Sequence, residues 1–319
     1  VSSIESALRA PMAIGAGSFG GLGSPAELIG LGLDDADSSR VLTRAVELGM
    51  TVVDTAHSYA AGAADAMIGA WLTSDPARRN QVAIVAKLGI VQTPGGLDVD
   101  LSPANVKACA AQTRSRLGTD RVDVVMSHAP DEHTPVATTL RAFVDLIEAG
   151  HADRYGVSNV EQADLEGWLI EADRLGVPPP ALVENEYNLL CRDDERHVLP
   201  LCVAHGISYL AFSPLAGGLL TGKYRSGSPP PPGSYLAIRP DDGLQRLTEG
   251  LGDELARFTA RAADRGLSPA ALGLAWVAAQ PNVAPIVGVR APSQLDAAAD
   301  ALAAPLSPSE AAEISAVFT

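Results

Sequence analysis

Asp54, Tyr59, Lys87 and His128 lie at or just past the C-terminal ends of short apolar runs: MTVVDTA at 50–56, VAIVAKLG at 82–89 and VDVVMSHA at 122–129. Hydride delivery to a carbonyl carbon leaves charge on the oxygen, so an acid must act there. A tyrosine phenol becomes competent when an adjacent cation stabilises its anion. In that chemistry Tyr59 is the acid, Lys87 lowers its pKa, and Asp54 keeps Lys87 charged and in place. His128 hydrogen-bonds the carbonyl oxygen and stabilises the developing oxyanion. Each residue also has an ordinary use: a helix cap for the aspartate, packing for the tyrosine, a satisfied buried position for the histidine. Lys87 is the hardest to explain that way. Lys87, Lys107 and Lys223 are the only lysines among 23 basic residues, and an ammonium in an apolar strand needs a carboxylate partner.

The four residues can meet only if their strands lie side by side and point the same way. Apolar or β-branched runs recur at 12–19, 50–56, 82–89, 122–129, 154–160, 181–188, 207–215 and 284–290. Helical patterns separate them. Ser102 and Pro103 open one helix that Gly118 closes, and Thr134 and Pro135 open another that Gly150 closes. Ser268 and Pro269 open a third, and Ser307 with Glu310 reads as a capping box for the last. These alternations predict an α/β fold, a (β/α)₈ TIM barrel forming a single domain over 1–319. An open dinucleotide-binding sheet would need G-x-G-x-x-G opening a helix. Gly15 to Gly20 comes close, but the Gly-rich stretch after it reads as a loop over the barrel mouth. The proline-rich stretch at about 225–250 is expected to be a loop excursion beside the site.

Composition narrows the partners. Hydrophobic residues make up 47% of the chain and charged residues 19%, enough for a large core. The formal charge of −15 repels phosphate backbones and anionic lipid, so neither nucleic acid nor membrane is an expected partner. No apolar run approaches the roughly 20 residues of a spanning helix, and the opening VSSIESALRAP lacks the regions of a signal peptide. A soluble, cytoplasmic protein is expected. Cys109, Cys191 and Cys202 lie in helix-like stretches without metal-ligand spacing, so neither a disulfide framework nor a metal site is expected. Trp71, Trp168 and Trp276 should pack the outer ring, whereas Tyr235 is a pocket candidate. Substrate identity should lie in loops 21–33, 90–100 and 225–245. Oligomeric state is not legible.

DTAHSY (54–59) with Gly62, AKLG (86–89), SHAPDEHTP (127–135), GVSN (156–159), NEYN (185–188), AFSPLAGGLLTGKY (211–224) and IVGVRAPSQL (286–295) together resemble the aldo-keto reductase superfamily, in its order, over about 12–305. SHAPDEHTP and AFSPLAGGLLTGKY look closest to the aflatoxin-aldehyde and succinic-semialdehyde reductase branch. The resemblance implies a cytoplasmic NADPH-dependent reductase of aldehydes or ketones, with NADH possible. It gives the catalytic tetrad the roles stated above. It places Ser158 and Asn159 on the nicotinamide carboxamide and Phe212 flat on the ring. Ser213, Leu215, Gly217, Gly218 and Lys223 would cradle the pyrophosphate. Gly288, Arg290 and Gln294 would meet the adenosine end, with Arg290 on a 2′-phosphate.

The sequence departs from that pattern at Glu184, where the family usually has Gln. If ionised, a carboxylate there accepts from the carboxamide NH₂ but cannot donate to its oxygen. Ala298 replaces an Asn that often contacts adenine, and the opening hairpin looks short. Two other readings are a Schiff-base aldolase with Lys87 as nucleophile and a cofactor-binding regulatory or sensor protein like the channel subunits of the superfamily.

Overall fold

Val, Ile, Leu and Ala in short runs favour extended backbone that can be buried on both faces. In the computed structural model, which describes residues 10–248 and 251–318, such runs form ten strands. In chain order they are β1 (Ala13–Gly15), β2 (Val52–Ala56), β3 (Ala83–Leu88), β4 (Ile90–Thr93), β5 (Gly96–Val99), β6 (Val122–Ser127), β7 (Ala152–Ser158), β8 (Leu182–Glu186), β9 (Ser208–Phe212) and β10 (Val283–Gly288). Eight of them close into a parallel barrel in the order β1-β10-β9-β8-β7-β6-β3-β2. All eight expected strands are present, and the fold is the (β/α)₈ barrel.

The remaining two form an antiparallel hairpin where a loop was expected at 90–100, with Ile90 opposite Val99 and Thr93 opposite Gly96. Pro94, Gly95 and Gly96 supply its turn. Gly96 takes a φ of +115°, and the Thr93 hydroxyl donates to its carbonyl at 3.0 Å.

The pleat places the chemistry. Ala13, Val52, Val85, Met126, Leu182, Leu210 and Ile286 belong to the apolar cluster inside the barrel. Side chains repeat a face every second residue, so Gly15, Asp54, Lys87, His128, Glu184, Phe212 and Gly288 follow on the same inner face at the C-terminal mouth. Register confirms the alignment: Val85 pairs with Asp54, and Glu184 sits between Ser158 and Leu210. A larger cluster, including Trp71, Trp168 and Trp276, fills the layer between barrel and helices, as expected for the tryptophans.

The helix signals hold with two exceptions. The Ser102, Ser268 and Ser307 side chains cap their helices, the last within a capping box with Glu310. Pro135, however, is itself the cap position of Val136–Glu148, and Thr134 caps nothing. The Asp131 carboxylate organises the turn before it, accepting from the backbone N–H groups of His133 and Thr134 at 2.8 and 3.2 Å. Cys191 is not helical either: it closes a tight bridge with Asn188. Between β9 and the helix Gly252–Asp264, the described residues form a short helix, Tyr235–Ile238, and three 3₁₀ turns, Ala216–Thr221, Pro240–Asp242 and Leu244–Thr248. The expectation about the opening hairpin falls on residues 1–9, outside the described residues. Among the described residues no helix is long and apolar enough to cross a membrane.

Candidate active site

The inward-pointing strand ends floor a cavity of about 630 Å³ at the C-terminal mouth of the barrel. Lys87 lies beneath it, 1% exposed, and its ammonium donates to Asp54 Oδ1 at 2.5 Å and to Glu184 Oε1 at 2.7 Å. Burial opposes the lysine charge. Asp54, Glu184 and Tyr59 more than offset that, so its pKa is held well above the ordinary value. Asp54 as partner was legible in the sequence; the second carboxylate was not. Glu184 was read only as a cofactor contact. The barrel's curvature brings β8 across to β3, a juxtaposition of residues 97 positions apart that no local pattern encodes.

Tyr59 opens the short 3₁₀ turn Tyr59–Gly62 after β2. Its ring centroid lies 5.3 Å from the Lys87 ammonium and 5.6 Å from the His128 ring, edge to face. The turn is tightly specified. Ala60 and Ala61 have φ of 47° and 55°, and Gly62 has φ of 93°, where a Cβ would fall 2.2 Å from the Arg116 guanidinium. That guanidinium donates to the His57 carbonyl at 2.8 Å, tying helix to turn. Asn159, Ser213 and Ala216, at other rim positions, also hold positive φ. Backbone strain thus collects where the fold holds the site, at about 1–3 kcal/mol per residue.

The expected influence of Lys87 on Tyr59 is present, and a larger one opposes it. Lys87 does favour the Tyr59 anion, but burial outweighs it, and the phenol pKa lies above its ordinary value. Tyr59 therefore keeps its proton, with the Lys87 ammonium beside its ring. For His128, burial acts first, and Lys87 and His57 add positive charge nearby. Its pKa is held well below the usual value, and the ring is neutral. Its buried Nδ1 has no hydrogen-bond partner, and its backbone carbonyl accepts from the Asn159 amide at 2.8 Å.

Every proposed cofactor contact lines this cavity: Ser158, Asn159 and Glu184 on the floor with Phe212, then Ser213, Leu215, Gly217, Gly218 and Lys223 along the β9 side, with Gly288, Arg290 and Gln294 beyond β10. Gly217 and Gly218 take φ of 63° and 93°, and a Cβ on Gly218 would meet the Lys223 ammonium at 2.8 Å. Arg290 donates through Nη1 to the Gly233 carbonyl at 2.7 Å, while its buried Nε has no partner. The Gln294 carbonyl oxygen accepts from the Arg290 backbone N–H at 2.7 Å. Tyr235 lines the cavity as expected, joined by Arg239 from the same segment; Leu22 and Gly23 come from 21–33, and nothing from 90–100 takes part.

Ser18 and Arg239 were missed. Ser18 stood in the Gly-rich run read only as a loop, and it donates to the Val289 carbonyl at 2.5 Å, joining the β1 and β10 loops. Ala298 is corrected: it is fully buried in the outer core, and its neighbour Ala297 faces the cavity, because the helix Leu295–Ala303 turns position 298 inward.

Residues 11–318 match the model of the aldo/keto reductase family. The chain is 32% identical over 268 residues to a probable voltage-gated potassium channel subunit beta of Arabidopsis thaliana, covering 80% of this chain and 78% of that one. It is 31% identical over 269 residues to L-glyceraldehyde 3-phosphate reductase of Escherichia coli, covering 82% and 78%. A solved glycerol dehydrogenase from Gluconobacter oxydans superposes with a TM-score of 0.81 at 26% identity, over 96% of this chain and 90% of that one. A closed parallel barrel with a buried lysine and a tyrosine at its mouth, matched over nearly its whole length, makes this chain a member of the aldo/keto reductase family, the NAD(P)H-dependent oxidoreductases that act on carbonyl groups.

Proposed function

We propose that the protein reduces an aldehyde or ketone to an alcohol with NADPH as hydride source, Tyr59 donating the proton. The observation that carries this reading is the Lys87 ammonium, buried between Asp54 and Glu184 and 5.3 Å from the Tyr59 ring. The cavity suits a dinucleotide. Although the chain carries −15 overall, Lys223, Arg239 and Arg290 all line it, and Gly217 and Gly218 open its wall to phosphate. Arg290 suits a 2′-phosphate, which favours NADPH over NADH.

When bound, the reduced nicotinamide supplies the hydride that forms the new C–H bond. The chain's own residues do the rest. Phe212 offers an aromatic face at the cavity floor for the ring. His128, neutral and with one N–H to give, points the carbonyl oxygen toward Tyr59 and shares the charge that develops on it. The phenol transfers its proton to that oxygen, and Lys87 holds the phenolate until solvent returns a proton. Asp54 fixes Lys87 in that position.

A charged, 1% exposed Lys87 is a poor amine nucleophile, which weighs against the Schiff-base reading. A regulatory reading draws on the 32% identity to a protein named as a channel subunit. The test is NADPH oxidation with a panel of aldehydes and ketones. Wild type should turn over, and Tyr59→Phe should lose about 10²- to 10⁴-fold in kcat while still binding dinucleotide. Tight binding without turnover on any carbonyl would favour the regulatory reading.

A further inference from the structure

Glu184 is a buried carboxylate whose charge is only partly compensated by its neighbours. It is 2% exposed and lines the cavity floor, one oxygen on the shared Lys87 and the other, Oε2, buried without a partner. With both carboxylates ionised, Asp54, Glu184 and one ammonium leave a buried net negative charge that nothing compensates. The groups facing Glu184 are Lys87 on β3, Asp54 on β2 and Tyr59 on the turn after β2. The flanking strands offer Ser158 and Leu210, neither titratable. On its own strand, Glu186 is exposed and accepts from the Asn188 amide at 3.2 Å. Burial first, then the Asp54 charge, push the Glu184 carboxyl up to about 8, with Lys87 pulling it down. A proton is the cheapest way to neutralise this trio.

The reacting end of a hydride donor must sit near the Tyr59 hydroxyl and His128, and so above this floor. An oxidised nicotinamide ring is positively charged; a reduced one is neutral. We propose that Glu184 ties the redox state of a bound nicotinamide to one proton, being a carboxylic acid beside the reduced ring and a carboxylate beside the oxidised one. This rests on the dinucleotide reading above. The added cation supplies the compensation the trio lacks, so NADP⁺ binding expels a proton that NADPH binding leaves in place. A glutamine at the same position has no proton to give.

The experiment is titration calorimetry of NADP⁺ and NADPH into wild type and Glu184→Gln, in buffers of different ionisation enthalpy, between about pH 6.5 and 8.5. In wild type, NADP⁺ should release more protons than NADPH. The affinity ratio of NADP⁺ to NADPH should rise with pH by up to about tenfold per unit below the Glu184 midpoint. In Glu184→Gln the ratio should be flat and the two proton counts equal. Infrared difference spectra between the two bound forms should show a protonated-carboxyl C=O band in wild type that Glu184→Gln lacks. Binding of both dinucleotides with the same proton counts in wild type and Glu184→Gln would overturn this inference and leave the reductase reading standing. No binding of either dinucleotide to either protein would overturn both.

Discussion

Asp54 and Thr55 are neighbours on β2 whose side chains leave by opposite faces, and each leads to a buried carboxylate cluster of a different kind. Outward, Thr55 donates to Asp65 Oδ1 at 2.8 Å, and Thr113 donates to Asp65 Oδ2 at 2.8 Å, joining β2 to the helices Ala63–Thr73 and Pro103–Leu117. Inward, Asp54 and Glu184 share Lys87, and Glu184 Oε2 and His128 Nδ1 remain buried without partners. Both clusters are deeply buried. The outer one has each carboxylate oxygen on a neutral hydroxyl; the inner one carries formal charges and open hydrogen-bonding capacity at a cavity. A closed network rigidifies the scaffold, and an open one has capacity left for something that binds.

The sharpest way to break this contrast is Lys87→Met. Carbonyl reduction should fall by about 10²-fold or more. Stability should drop by about 3–5 kcal/mol at pH values where Glu184 must ionise beside Asp54, and by less at lower pH, where Glu184 takes a proton. Activity assays and urea melts at two pH values read both effects. Retention of full activity would place the inner cluster with the outer one as scaffold.

Asp65→Ala should do the reverse, lowering stability by about 3 kcal/mol by orphaning two buried hydroxyls, with kcat at folding temperatures unchanged. Asp65→Asn tests the outer charge. Burial pushes the Asp65 carboxyl up to about 6, with Thr55, Thr113 and Arg116 pulling it down. A carboxyl whose native pKa is raised stabilises the fold below its unfolded pKa and loses that contribution as pH rises through the native one. Wild type should therefore weaken between about pH 4 and 6 relative to Asp65→Asn, by up to about 3 kcal/mol at neutral pH. Parallel thermal melts from pH 4 to 7 would show it, and a constant difference would mean Asp65 titrates normally. Thr113→Val, which removes one donor and leaves Thr55 in place, should cost only about 1–2 kcal/mol and leave dinucleotide binding unaltered.

The inner cluster was partly legible because one member, Lys87, is a rare residue type here and stands at a strand end. One lysine in an apolar run announces a partner, and Asp54 on the adjacent run is the nearest candidate. The outer cluster was not legible. Thr55, Asp65 and Thr113 are common residues in ordinary positions, and their meeting depends on how two helices pack against β2. The β4/β5 hairpin went unread as strand because it lies outside the barrel alternation, although its Pro-Gly-Gly turn was visible. Thr134 was misread as a cap because a Thr-Pro pair matches a helix start, while the chain enters this helix one residue later, with Pro135 at the cap position.

What the sequence determined by itself is what repeats or punctuates: eight apolar runs, serine caps and the polar residues Asp54, Lys87 and His128 at the ends of three inward faces, since pleat and helix periods are local geometry. What only the tertiary structure decided is which ends meet. Closing the barrel sets Glu184 across from Asp54 on the same ammonium, and burial under the rim raises the Tyr59 pKa that Lys87 alone would lower. Long-range proximity and desolvation belong to the closed fold, and no local stretch of chain contains either.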